Sequence, residues 1–210
     1  MLSAVPLLVT IVAVIVVGYL VGSIPVANVV ARRRAGTDLR TVGDRNPGYW
    51  NAKETLGRRQ AVPVFVGDVA KGAVGAGVGA LLATDPMGGT GQWWLAYVGA
   101  GAAMVGHAFP VFADFRGGRS VLTFVGGALV FTPVAAGLSV AVLLVVLAVS
   151  RNFATASRVA IVALPVVQLV IDGPYRTAAT GALMTFIGAR FAQAAVEERR
   201  RRDHATSADA

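Results

Sequence analysis

Long apolar runs at regular intervals constrain this chain more than any other feature. It opens "MLSAVPLLVTIVAVIVVGYLVGSIPVANVV", in which nothing from Val5 to about Val21 carries a charge. About 20 consecutive apolar residues cross a bilayer as a helix, so this stretch reads as a first span. It lacks the basic n-region of a secretory signal and is too long for one. With 55% hydrophobic and only 14% charged residues, and a mean hydropathy of +0.66, the 210-residue chain falls outside the soluble class.

The further apolar runs are Ala61–Ala83, Gln92 to about Val105 with an extension from His107 to Ala113, Val121–Ser150, Phe153–Ile171, and Thr177 to about Val196. Val121–Ser150 is long for one span, and "FTPV" at Phe131–Val134 divides it, because proline removes a helix hydrogen bond and clashes with the preceding turn. The expectation is an all-α integral membrane protein of about seven transmembrane segments, some short or broken. Residues 1–196 form one multi-span domain, and 197–210 a basic, disordered cytoplasmic tail.

Lysine and arginine positions set the orientation. The stretch Ala31–Gln60 carries Arg32, Arg33, Arg34, Arg40, Arg45, Lys53, Arg58 and Arg59. Arg116, Arg119, Arg151, Arg158 and the run Arg199–Arg202 follow in later turns and the tail. Seven crossings put all of these on one face, leaving only Arg176 among the opposite loops, Thr84–Gly91 and Asp172–Arg176. The predicted arrangement is an outside N-terminus and a cytoplasmic C-terminus. The net charge of +8 is then a topology signal and an attraction to anionic membrane lipids. Nucleic acid is not an expected partner, since no recognition motif or basic–aromatic repeat is present. The chain has no cysteine, which excludes disulfides and thiolate metal sites. It has two histidines, with His204 in the polar tail. No metal and no cofactor are expected.

Polar residues in apolar company are the candidate site. Asp68 and Lys71, three apart in "VGDVAKGAVG", share a helix face. Lys71 either holds an anionic substrate or snorkels beside a neutralising carboxylate. "GHAFPVFADFRGGRSVLTFVGG" places Arg116, Gly117, Gly118 and Arg119 ahead of a helix start. Glycines allow close backbone approach, free helix N–H groups attract anions, and paired guanidiniums grip phosphate. The same turn also serves as a plain basic topology signal. The spacing is not that of a nucleotide P-loop. His107 is either a base, an oxyanion donor or a structural hydrogen-bonder. "GDRNPGYWN" supplies Arg45, Asn46, Gly48 and Asn51, either an anion-binding nest or a turn-rich connector.

In order and spacing, "GSIP" at Gly22, "TDLRTVGDRNPGYWNAKETLG" from Thr37, "GDVAKG" at Gly67, "GHAFPVFADFRGGRSVLT" at Gly106, and "SR" at Ser150 with Ser157 resemble one family. This is the family of bacterial acyl-phosphate:glycerol-3-phosphate acyltransferases. The resemblance implies a seven-helix fold with a cytoplasmic active site in the bacterial plasma membrane. It implies acyl transfer from acyl-phosphate to the 1-hydroxyl of glycerol 3-phosphate, giving lysophosphatidic acid and phosphate, without metal or thioester carrier. Carried over residue by residue, it points to His107 and Asn46 as catalytic. Asn51, Gly48, Lys71, Arg116, Gly117, Gly118 and Arg119 would bind phosphate.

The chain departs from the pattern at Asp44, where the family has serine, at Arg45, where it has glycine, and at Glu54, where it has arginine. Its C-terminal motif of His, Asn and Glu is not recognisable in "GARFAQAAVEERRRR". The alternative is a catalytically impaired homologue that binds lipid or phosphate. A transporter is disfavoured because no internal duplication is evident.

Overall fold

A computed structural model describes residues 7–83 and 91–208. It is helical throughout, with no strand among the described residues. The helices are α1 (Leu7–Gly22), α2 (Val26–Ala35), α3 (Tyr49–Leu56), α4 (Arg58–Leu82), α5 (Trp94–Ala108), α6 (Val121–Phe131), α7 (Pro133–Ser150), α8 (Phe153–Asp172) and α9 (Pro174–Ala208). A 3₁₀ turn, Val111–Ala113, follows α5.

Each of the seven expected segments is a helix, namely α1 and α4 to α9. Among the described residues, five stretches are long and apolar enough to cross a bilayer: Leu7–Ala35, Arg58–Leu82, Trp94–Ala113, Pro133–Ser150 and Phe153–Asp172. α6 is apolar but short. The chain breaks where "FTPV" predicts: Thr132 closes α6, and Pro133 opens α7 at its first position, where a missing N–H costs nothing. Residues 84–90 of the expected loop Thr84–Gly91, and the first two residues of the Val5–Val21 span, lie outside the described residues.

The tail expected to be disordered from residue 197 instead prolongs α9 to Ala208. Glu197 to Arg202 are good helix formers. Glu198 accepts from Arg202 at 3.1 Å across one turn, the stabilising order of charges. Two short helices had no counterpart in the apolar pattern. α2 is a ten-residue continuation beyond the "GSIP" bend. α3 lies inside the first loop, where Trp50 stacks on Phe153 of α8 at 5.7 Å and Tyr49 meets Phe65 of α4 edge-on at 5.4 Å.

α1, α4, α5 and α6 pack backbone against backbone. A methyl group at Gly72 of α4 would collide with the Thr123 carbonyl of α6, and one at Gly126 of α6 with the Val69 carbonyl of α4. Gly75 and Gly99 face each other across α4 and α5, and Gly22 of α1 faces Ala103 of α5. Small residues are the means by which membrane helices approach closely enough to gain dispersion energy without a solvent-driven term. A larger core of Tyr97, Met104, Phe124, Phe131 and Leu164 joins α5, α6 and α8.

Candidate active site

The first loop is held by its own polar residues. Asn51 is fully buried; its amide donates to the carbonyls of Leu39 (2.9 Å) and Val42 (3.0 Å), and its Oδ1 accepts from Thr55 at 3.2 Å. Gly43 sits at φ +57 against that same Oδ1, where a side chain would clash. Arg40 clasps Asp38 through Nε and Nη2 and crosses to the Ala113 carbonyl (3.0 Å) and Asp114 (3.3 Å). It therefore ties the first loop to the turn that precedes Arg116. The Arg40 guanidinium, joined by Arg32, holds the Asp38 carboxyl well below the usual carboxylate range, outweighing partial burial. Asp38 in turn raises Arg40.

The helices supply a buried charged cluster. Asp68, Lys71 and His107 are 1%, 4% and 7% exposed, too enclosed for a plain surface pair. Lys71 Nζ donates to Asp68 Oδ1 at 3.0 Å and lies 3.3 Å from His107 Nδ1, which is itself 3.5 Å from Asp68 Oδ1. The Nε2 edge packs against Gly118, in the space a side chain there would need.

Gly117 and Gly118 donate their N–H groups to the carbonyls of Ala108 (3.1 Å) and His107 (3.0 Å). The glycine amides expected to receive phosphate are thus committed to closing the end of α5. The cationic side chains flanking them remain. Arg116 is exposed, its N–H donates to the Ala113 carbonyl at 3.0 Å, and its guanidinium makes no hydrogen bond or ion pair among the described residues. Arg119 donates to Asp44 at 3.1 Å and covers the Phe191 ring at 4.9 Å. Asp44 also caps the Asn46 N–H at 3.1 Å.

Two connected clefts result. The smaller is bordered by Pro47, Arg116, Lys71, His107 and the opening turn of α2. The larger lies between the first loop, the Arg116–Arg119 turn and the end of α9, with seven arginines against three carboxylates. Pro47, Arg116 and Gly117 border both.

Of the residues singled out in the sequence, Asp44, Arg45, Asn46, Arg116, Gly117 and Arg119 meet at the larger cleft, and Lys71, His107 and Gly118 at the smaller. Asn51 and Gly48 are buried in the loop and line neither cleft, and exposed Glu54 lines neither. Sequence reasoning did not place Arg190, Gln193 or Glu197, all at the larger cleft. Arg190 stacks on Phe109 at 4.6 Å and donates to Gln193 at 2.7 Å. Their spacing of three and four residues along α9 puts them on one face, the signal that would have grouped them.

The family described as glycerol-3-phosphate acyltransferase matches residues 12–198. The chain belongs to that family. The glycerol-3-phosphate acyltransferase of Clostridioides difficile (strain 630) is 33% identical over 156 residues, covering 74% of this chain and 76% of the relative. That of Chlorobaculum tepidum is 33% identical over 162 residues, covering 75% and 70%. The fold is similar to the crystal structure of PlsY, an integral membrane glycerol 3-phosphate acyltransferase, in its glycerol 3-phosphate form. There the TM-score is 0.74, with 27% identity, covering 91% of this chain and 93% of that one. Its lysophosphatidic acid form gives a TM-score of 0.70 at 25% identity, covering 86% and 87%.

Proposed function

We propose that this membrane protein transfers a fatty acyl group from acyl-phosphate to the 1-hydroxyl of glycerol 3-phosphate, on the cytoplasmic face of the bacterial plasma membrane. The observation that carries the reading is that an arginine-rich cleft and a smaller cleft lined by Lys71 and His107 share Arg116, whose guanidinium has no partner among the described residues. Both substrates are phosphates, and guanidinium groups bind phosphate in two-pronged geometry. The seven arginines lining the larger cleft support a cytoplasmic site, since basic residues favour that face.

In this reaction the 1-hydroxyl oxygen attacks the acyl carbonyl carbon, and the bond from that carbon to the bridging oxygen of the phosphate breaks. Phosphate leaves with its oxygen, and the hydroxyl proton passes to a phosphate oxygen. Phosphate is a competent leaving group and base, so the protein's task is alignment and charge stabilisation. Arg116 and Arg119 neutralise phosphate. Lys71, held by Asp68, fixes His107, which supports the glycine turn carrying both arginines. Asn46 shapes the loop facing them.

Purified protein supplied with palmitoyl phosphate and glycerol 3-phosphate is expected to release phosphate and lysophosphatidic acid, and to lose that activity in Arg116→Ala. Background rates at saturating substrate overturn the reading. The Asp44–Arg119 contact favours a second reading, a phosphate- or lipid-binding homologue without turnover, because the carboxylate occupies a guanidinium that would otherwise meet phosphate. That protein would bind glycerol 3-phosphate in the same assay and convert none.

A further inference from the structure

The smaller cleft contains a polar group that the proposed reaction has not used. Asn28, in the first turn of α2, lines this cleft and is only 5% exposed. Its Oδ1 is buried with no hydrogen-bond partner among the described residues. Its neighbours in the wall are Ile24, Pro25, Val26 and Ala27, with no side-chain donor among them, while Lys71 is taken up by Asp68 and His107. A buried acceptor without a donor is destabilising, and folded proteins leave few of them. Such a group, on a residue that lines a cleft, marks a place completed by a ligand.

The chemistry of the missing partner follows from the acceptor. A carboxamide carries no charge, so it does not select an anion. It accepts from and donates to a hydroxyl. Phosphate has its own cations, Arg116 at the outer end of the same cleft. An amide is too weak a base to take the proton of the attacking hydroxyl, so it suits a hydroxyl that does not react. We infer that Asn28 binds the secondary hydroxyl of a phosphorylated glycerol, fixing the molecule so that the primary hydroxyl faces the acyl donor. Asn28 is a specificity residue for polyol phosphates, and the assignment rests on the acyltransferase reading for which hydroxyl reacts.

The test is binding to the full chain in detergent, measured calorimetrically with glycerol 3-phosphate, 3-hydroxypropyl phosphate (which lacks only the secondary hydroxyl) and inorganic phosphate. Wild type is expected to bind glycerol 3-phosphate about tenfold more tightly than the deoxy analogue, the scale of one buried hydrogen bond left unmade. Asn28→Leu should erase that difference while leaving the affinity for inorganic phosphate unchanged. Asn28→Ala serves as the second variant if the leucine form does not fold. Equal binding of the two ligands by wild type, as expected if only water fills the site, overturns the inference. So does a preference that both variants retain.

Turnover of palmitoyl phosphate in the same preparations tests the acyltransferase reading separately. Absence of turnover with discrimination intact defeats that reading and leaves Asn28 a polyol-phosphate ligand.

Discussion

Asp44 and Arg119 meet at 3.1 Å across the mouth of the larger cleft, joining the first loop to the glycine turn. Both side chains are partly exposed, so the pair adds little stability. Its effect is on which anion Arg119 meets. Asp44→Ser is expected to tighten glycerol 3-phosphate binding about two- to fivefold, with the salt dependence of a partly screened contact. Titration of wild type and variant at two ionic strengths measures it. Weaker binding in the variant would show that Asp44 organises the loop more than it competes with phosphate.

Asp38 gives the first loop a defined response to acid. Its ionisation is depressed by the hydrogen bonds from Arg40 and Arg32. A depressed folded value stabilises above the unfolded value near ~3.9, and the gain is lost as pH falls through the folded value. The Tm gap between wild type and Asp38→Asn is therefore expected to stay constant from about pH 5 to 8 and to shrink below about pH 4. A gap that varies near neutrality would assign the loop's stability to another group.

Lys71→Met leaves Asp68 buried beside His107 without its ammonium. Breaking a buried pair from one side costs roughly 3–5 kcal/mol, whereas removing both charges is often neutral. The single variant should melt well below wild type, and Asp68→Asn with Lys71→Met should recover most of the loss. Acyl transfer should stay low in the double variant, since His107 has lost the group that fixes it. Thermal melts and the phosphate-release assay separate the two effects.

How much of this was legible in the sequence divides by physical cause. Apolar length found the seven helices because the bilayer imposes that length on each segment separately. It missed α2 and α3, whose helices rest on contacts made elsewhere, such as Trp50 against Phe153. Asp68 and Lys71 were visible as a pair because three residues make one helical turn. His107 joins them from 36 residues away, which no local pattern reveals. Asn51 looked like a ligand-binding amide, yet it spends both donors on loop carbonyls. A buried asparagine that builds a loop and one that binds a substrate have the same sequence, and Asn28, the one with the open acceptor, drew no notice.

Gly72 and Gly77 provide a matched pair for the packing argument. A methyl at Gly72 strikes the Thr123 backbone, while one at Gly77 meets nothing within 4 Å. Gly72→Ala is expected to reduce folded yield severely, because backbone cannot move aside as a side chain can. Gly77→Ala should be neutral or slightly stabilising, since alanine is the better helix former. Size-exclusion profiles of the two variants decide between this account and one in which both glycines serve helix flexibility.

The glycine seams joining α1, α4, α5 and α6 have a mechanical consequence. Close main-chain contacts contain no rotamers to absorb movement, so along these seams the helices form a stiff frame. The frame therefore keeps Lys71 of α4 and His107 of α5 at a fixed separation, because the two helices are locked at Gly75 and Gly99.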